Sequence, residues 1–180
     1  MNIGKTLYAK NRREFRTWLI KNHDKEKDIW LIYYRKDSGK PRIPYSEAVE
    51  EALCFGWIDS TAKGIDEERF AQRFSPRRPK SNWSTLNLER MKRLIKNGLM
   101  TPAGLSYYPG ETKFKIPADI LKTLKKDKKT WENFQKFDLS YQTIRIGFIE
   151  GARTRPEEFQ KRLTYFLKMT KLGKKFGMIL

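Results

Sequence analysis

Apolar side chains recur at helical spacing near the start of the chain. Phe15, Trp18 and Leu19 fall on one face of a helix that follows Asn11, and asparagine often caps helix N-termini. Residues 28–35 form a short, almost continuous apolar run rich in aromatic and branched side chains, which is typical of a strand covered on both faces. The pattern predicts a helix and then a strand in the middle of a sheet.

A second helix and a hairpin follow. One apolar stripe over residues 48–56 predicts a helix that begins near Pro44. From Trp57 the period of the apolar positions changes to two, and the alternation resumes in residues 69–74 after a turn. Together with the strand at 28–35, this hairpin predicts a small antiparallel three-stranded sheet packed with helices.

The C-terminal part of the chain shows only helical periodicity. Residues 101–116 are rich in proline and glycine and form the best candidate linker. The apolar positions beyond it predict four helices, the first of which opens at Pro117. We therefore predict an α+β fold: an α+β domain with a candidate anion site over residues 1–108, and an all-helical domain over residues 109–180.

Two arginines stand between prolines at the end of the hairpin. Pro76 and Pro79 donate no backbone hydrogen bond, so they hold Arg77 and Arg78 on a stiff arm. The next helix begins after Ser84, and the free N–H groups of a helix N-terminus favour anions. The sequence therefore predicts a site for a phosphate-bearing ligand. The predicted site residues are Trp57, Arg73, Arg77, Arg78, Lys80, Ser81, Trp83, Ser84 and Asn87.

A purely structural interpretation of the same residues stays open. In it, Ser84 only caps its helix and the two tryptophans fill the core. Asp59 then pairs with Arg73 or Arg69 across the hairpin. Asp59 is also the one acid that we would test as a general base, because it lies near hydroxyls and arginines in the sequence. An arginine neighbour would lower its pKa and weaken that role.

No catalytic or metal-binding pattern is visible. P-loop, dinucleotide glycine, CxxC and HExxH patterns are all missing. The chain has one histidine, His23, and one cysteine, Cys54, so histidine-rich metal sites and a conventional Ser-His-Asp triad lose most of their support. Cys54 is interpreted as a small core residue whose neighbouring carboxylates disfavour a thiolate. We predict no metal and no cofactor, and a small-molecule enzyme remains only an alternative.

The chain is strongly basic, with 39 Lys and Arg against 21 Asp and Glu and a formal net charge of +18. Residues 1–100 carry 22 basic against 13 acidic residues, and residues 101–180 carry 17 against 8, so both parts are basic. Such a charge attracts polyanions, which makes nucleic acid or an anionic membrane surface the default class of partner. The alternative is a soluble protein whose basic charge has no role in its function. For the lysine-rich last helix, closure of a bundle is favoured over peripheral membrane contact.

The sequence also indicates in which cell compartment the protein is expected. Residues 1–16 are polar and lack the apolar region of a signal peptide, and no run approaches the length of a transmembrane helix. A single cysteine allows no internal disulfide. We therefore expect a cytoplasmic protein without a transmembrane segment, and the sequence makes no prediction of its oligomeric state.

Three segments carry a resemblance to a known family. Residues 54–60 (CFGWIDS), 73–87 (RFSPRRPKSNWSTLN) and 98–104 (GLMTPAG) resemble the signature of the YdeI/OmpD-associated family, also called bacteriocin-protection proteins. The similarity continues into residues 116–120 and the last helix. One departure is local, because Glu157-Glu-Phe159 stands where the family shows Glu-Thr-Arg.

The resemblance implies a cytoplasmic bacterial factor that helps cells to survive antimicrobial peptides, and a YjbR/CyaY-like fold for the N-terminal half. Iron binding is not carried over from the frataxin branch of that fold, because helix 11–23 has three arginines against one glutamate. We expect tolerance to arise through an anionic ligand. The alternatives are a basic nucleic-acid-binding module without a discrete pocket, and a small-molecule enzyme.

Overall fold

The computed structural model describes residues 2–111 and 113–178. The predicted domains and linker include Met1, Thr112, Ile179 and Leu180, which lie outside the described residues. Within those ranges the chain forms four strands, eight α-helices and one 3₁₀ helix. In chain order they are β1 Thr6–Tyr8, α1 Arg12–Asn22, β2 Ile29–Tyr34, the 3₁₀ helix Lys36–Ser38, α2 Tyr45–Cys54, β3 Trp57–Gly64, β4 Arg69–Pro76, α3 Thr85–Lys96, α4 Pro102–Leu105, α5 Ala118–Lys125, α6 Lys128–Lys136, α7 Leu139–Glu150 and α8 Pro156–Lys171.

The chain divides into two compact units. The first contains Met1–Ser81 and Met91–Pro109, and the second contains Asn82–Arg90 and Gly110–Leu180. Helix α3 thus contributes its first half to the second unit and its second half to the first. The second unit is not one continuous stretch of chain, because nineteen residues of the first unit, 91–109, separate its two parts.

The first unit is an α+β structure with one sheet of order β1-β2-β4-β3. Strand β1 pairs parallel with β2, while β2 pairs antiparallel with β4 and β3 antiparallel with β4. The prediction of a three-stranded antiparallel sheet is therefore inexact: the sheet has four strands among the described residues and is mixed. The three residues of β1 are too few to show the period-two alternation of a strand. Their parallel pairing needs β2, which follows helix α1 in the chain.

Helix and strand patterning explains most of the first unit. Asn11 caps α1 by accepting a 3.0 Å hydrogen bond from the Glu14 backbone N–H, as the sequence predicted. Strand β2 has a neighbour on each side, which confirms the prediction of a central strand. The core collects apolar side chains from α1, α2 and the sheet. Its fully buried members include Phe15, Leu19, Trp30, Val49, Leu53, Trp57 and Phe74.

Two acids of α2 are also buried. Glu51 is 1% exposed and binds Arg12 and Arg16 of helix α1, the second at 2.7 Å. Glu50 binds Arg12 at 3.2 Å and also Arg93. Buried carboxylates persist where cations pair with them, so these pairs join α1 and α2 by charge as well as by apolar packing.

The predicted linker at 101–116 contains a short helix. Thr101 caps α4 by accepting from the Gly104 backbone N–H at 3.2 Å, and it donates to the Cys54 carbonyl oxygen at 2.6 Å. A Cβ at Gly104 would lie 2.3 Å from that same carbonyl oxygen, so only glycine permits this approach. Residues 101–109 therefore pack within the first unit.

The second unit contains the four predicted helices α5 to α8. Asp127 and Asp138 cap α6 and α7, each accepting a 2.8 Å hydrogen bond from a backbone N–H three residues later. Pro156 is the first residue of α8, a position that proline favours. The buried core is formed by Ile120, Leu124, Phe134, Phe137, Tyr141, Ile146, Ile149, Leu163 and Phe166.

Candidate functional site

The predicted site residues are divided between the two units. Trp57, Arg73, Arg77, Arg78, Lys80 and Ser81 belong to the first unit, and Trp83, Ser84 and Asn87 belong to the second. Trp57 is 1% exposed, and its indole Nε1 donates to the His23 carbonyl oxygen at 3.0 Å. Arg73 donates to one carboxylate oxygen of Asp28 at 2.7 and 3.0 Å. Both side chains are thus engaged within the first unit.

The cations of the proline-flanked arm differ in their exposure to solvent. Arg77 is 5% exposed, its backbone N–H donates to the Gly56 carbonyl oxygen at 2.8 Å, and burial lowers the pKa of its guanidinium. Arg78 and Lys80 are exposed, and Lys80 has a positive φ of 58°. Ser81 has a buried hydroxyl without a hydrogen-bond partner among the described residues.

Asp59 accepts a hydrogen bond from the Tyr45 hydroxyl at 2.5 Å. Arg69 binds Asp66 at 2.6 Å, and Arg73 binds Asp28, so the two arginines expected to pair with Asp59 contact other acids. The geometry adds nothing to the hypothesis that Asp59 is a general base.

A pocket of about 320 Å³ lies wholly within the second unit. It brings together two of the predicted residues, Trp83 and Ser84, with side chains of helix α7 and one of α8. Its apolar wall is formed by Trp83, Leu86, Ile144 and Phe148. Its polar lining comes from Ser84, Thr85, Arg145 and Arg162.

The first turn of α3 forms one side of this pocket. Ser84 caps the helix, because its hydroxyl accepts a 3.2 Å hydrogen bond from the Asn87 backbone N–H. The Asn87 side chain accepts from Arg90 at 2.9 Å and does not line the pocket. Gly147 of α7 lies against this turn, since a Cβ there would be 1.8 Å from the Thr85 hydroxyl oxygen. Helix α7 can therefore approach the N-terminus of α3 only with glycine at this position.

Arg145 is the unusual residue of the pocket. It is 6% exposed, and burial lowers the pKa of its guanidinium. Among the described residues no carboxylate pairs with it, its Nε has no hydrogen-bond partner, and its Nη2 donates only a long 3.4 Å bond to the Met178 carbonyl oxygen. The guanidinium carbon lies 5.3–5.7 Å from three aromatic ring centroids. Aromatic faces attract a cation, but they do not neutralise it.

Arg162 has a different environment. Its Nε donates to the Glu158 carboxylate at 2.7 Å, and its Nη1 donates to the Phe148 carbonyl oxygen at 2.7 Å. Its guanidinium carbon stacks 3.9 Å from the centroid of the Phe148 ring. Arg162 is therefore held rigidly and is already neutralised by one acid.

Sequence reasoning missed Arg145 and Arg162. A signal for Arg145 was present, because it stands between Ile144 and Ile146 in one of the most apolar helices of the chain. An arginine inside an apolar stretch marks a buried charge that needs a partner. Arg162 gave no such signal, because the sequence around it is rich in charged residues.

Residues 2–111 and 113–178 contain neither a metal-binding cluster nor a helix that could span a membrane. No group of three or more His, Cys, Asp or Glu side chains is placed to hold a metal ion. None of the helices there combines the length and apolar character that crossing a bilayer requires.

Two family models match the chain. The first, described as "Domain of unknown function (DUF8412)", matches residues 7–107, which is more than half of the chain. The chain belongs to the DUF8412 family. The second model, described as "Bacteriocin-protection, YdeI or OmpD-Associated", matches residues 113–173 of this DUF8412 protein. No curated protein and no solved structure matches the chain.

These matches support only part of the resemblance inferred from the sequence. The bacteriocin-protection model covers the C-terminal part, while the segments at 54–60, 73–87 and 98–104 fall in the DUF8412 match. No comparison supports a YjbR/CyaY-like fold for the N-terminal half. The pocket of this DUF8412 protein draws Trp83 and Ser84 from one matched stretch, and Arg145 and Arg162 from the other.

Proposed function

We propose that this protein is a cytoplasmic bacterial factor that contributes to bacteriocin protection by binding a small phosphate-bearing anion in the pocket of its second unit. The observation that carries the proposal is Arg145, a buried cation that lines the pocket and has no carboxylate partner among the described residues. An isolated charge is expensive to bury, and such charges are usually paired. A bound anion would supply the missing partner.

The first turn of α3 supports the same ligand. Backbone N–H groups at a helix N-terminus carry a partial positive charge and bind phosphate readily. Ser84 and Thr85 add hydroxyl groups on the same side of the pocket. A guanidinium, a helix N-terminus and hydroxyls together form a recurring set of donors for phosphate oxygens.

The match of residues 113–173 supports the biological role, since that stretch includes α5 to α8 and the two pocket arginines. Direct capture of cationic peptides is a poor explanation of protection, because a net charge of +18 repels them. Protection therefore follows from ligand binding and not from direct capture of the peptides.

Calorimetric titration of the full chain with inorganic phosphate tests the proposal. Arg145→Met should weaken binding at least about tenfold, because a hydrogen bond to a charged group contributes roughly 1.5–3 kcal/mol. Arg155→Met removes the same charge from an exposed position of the same unit and should leave binding unchanged. Arg145→Lys keeps the charge but loses the planar donors, so it should fall between the two.

Equal phosphate affinity in the Arg145→Met and Arg155→Met variants would overturn the proposal. The absence of any phosphate binding by the unmodified chain would do the same. Thermal melting of each variant shows whether it is folded. If Arg145→Met fails to fold, Arg145→Lys carries the comparison.

The joint action of Arg77, Arg78 and Lys80 stays a prediction. The exposed pair is the accessible part of that arm. If the arm binds phosphate in its own right, Arg78→Ala combined with Lys80→Ala should weaken the phosphate binding of the full chain. Unchanged affinity in that double variant would contradict the prediction for the arm.

A further inference from the structure

The charges around the pocket limit how much negative charge its ligand can carry. Arg162 is neutralised by Glu158 at 2.7 Å, whereas Arg145 has no acid partner among the described residues. The start of α3 adds roughly half a positive charge. The uncompensated charge is therefore about +1.5, which matches the roughly −1.5 to −2 of one phosphate monoester at neutral pH.

The shape of the pocket limits the rest of the ligand. A volume of about 320 Å³ lies at the lower end of the roughly 300–1,000 Å³ that small-molecule sites occupy. Four apolar side chains line it, and two of them are the aromatic residues Trp83 and Phe148. Phe148 is 45% exposed and already stacks on the flat guanidinium of Arg162. Such a lining suits a compact, planar organic group beside the phosphate.

We infer that the ligand is a monophosphate ester of a planar ring compound, of the kind that a nucleoside monophosphate represents, and that Glu158 excludes polyphosphates. This inference rests on the proposed function. The Glu158 carboxylate cancels the second arginine and would repel a second phosphate group placed near it. Glu158 is thus a specificity-determining residue that acts through Arg162.

Competition titrations on the full chain with four probes test the inference. The probes are inorganic phosphate, butyl phosphate, adenosine 5′-monophosphate and adenosine 5′-triphosphate. Adenosine monophosphate should bind about tenfold tighter than inorganic phosphate, which is the order expected when a base stacks on aromatic side chains. Butyl phosphate should fall between them, and the triphosphate should bind no tighter than the monophosphate.

Substitution of Glu158 tests its role in excluding polyphosphates directly. Glu158→Gln frees Arg162 and should raise triphosphate affinity about tenfold or more, while monophosphate affinity changes less. Glu157→Gln is the matched control, because it removes a neighbouring exposed acid of the same helix turn. It should leave the ratio of the two affinities unchanged.

The possible failures are distinguishable. If inorganic phosphate binds through Arg145 but adenosine monophosphate binds no tighter, the ring part of the inference is wrong and the proposed function stands. If the triphosphate is preferred by the unmodified chain, or if Glu158→Gln and Glu157→Gln behave alike, the exclusion of polyphosphates is wrong. If no phosphate probe shows binding that depends on Arg145, the proposed function fails as well.

Discussion

At the scale of single residues, close contact with glycine sets the geometry of the pocket. A Cβ at Gly147 would lie 1.8 Å from the Thr85 hydroxyl oxygen and 2.5 Å from its Cβ. The hydroxyl can rotate away, but the Thr85 Cβ cannot. Helix α7 and the first turn of α3 would therefore have to separate to admit one methyl group, and this separation would change the pocket that they line.

Gly147→Ala should lower the free energy of unfolding by about 1–3 kcal/mol, the usual cost of overpacking, and should also weaken phosphate binding. Chemical denaturation and calorimetry measure the two effects. Gly151→Ala is the control for stability alone, because the nearest atom to its Cβ is 3.4 Å away but the residue also lines the pocket. Adding Thr85→Ala to Gly147→Ala should restore part of the lost stability. No loss in Gly147→Ala would contradict the close approach of the two helices.

At the scale of elements, apolar periodicity was enough to predict most helices and the hairpin, but not contacts that depend on distant partners. The stripe over residues 48–56 correctly described the buried face of α2. It gave no sign that Glu50 and Glu51 are buried too, because their burial depends on arginines of α1 and α3. Strand β1 was missed for a related reason, since three residues acquire a strand conformation only through β2.

Only part of the candidate site could be predicted, again because the rest depends on distant segments of the chain. The capping role of Ser84 is local and could be inferred from its position before an apolar helical repeat. The pocket also needs α7 and α8, which lie about sixty and eighty residues further along the chain. No local pattern shows that these helices meet the start of α3.

Asp127 combines a helix cap with a long-range ion pair. Its carboxylate binds Lys171 of α8 at 2.9 Å and accepts from Thr130 of α6, and these contacts lower its pKa from 3.8 to about 2. The folded protein thus binds this proton less readily than the unfolded chain does. The resulting stabilisation is fully present above about pH 4 and is lost as the pH falls through about 2.

Asp127→Asn should therefore lower the melting temperature at neutral pH, and the difference from the unmodified chain should shrink between about pH 4 and 2. Asparagine still caps the helix, so the pH-dependent part reports the charge alone. The same substitution in a Lys171→Gln background should show a smaller pH-dependent difference. A constant difference across this pH range would contradict the assigned role of the ion pair.

At the scale of the whole molecule, the connection between the two units is shorter than the proline- and glycine-rich stretch predicted from sequence. Residues 101–109 pack in the first unit, and residues 110, 111 and 113–117 form neither helix nor strand. Lys113 and Lys115 are exposed in this segment. Exposed connections outside helices and strands are where proteases cut first.

Limited digestion with trypsin should cut first after Lys113 or Lys115 and yield two fragments, identified by mass. The double variant Lys113→Gln, Lys115→Gln should lose this first cut and resist digestion longer. Early cleavage within residues 46–96 would show that the connection is not the most accessible internal segment.

Because positive charge is spread evenly over the chain, nucleic acid stays an alternative partner. Its binding should respond to salt and to substitution of Arg145 differently from phosphate binding in the pocket. Binding of a random DNA duplex should weaken steeply with salt, because each phosphate contact releases condensed counterions; about six contacts lose roughly a thousandfold between 50 and 200 mM salt. Arg145→Met removes one of 39 basic residues, so it should hardly change duplex affinity while it weakens phosphate binding in the pocket at least about tenfold. Duplex affinity that stays flat over this salt range would exclude the nucleic-acid alternative. Equal losses of duplex and phosphate binding in Arg145→Met would instead mean that both ligands share the pocket. We do not expect this result, because a cavity of about 320 Å³ is small for a duplex.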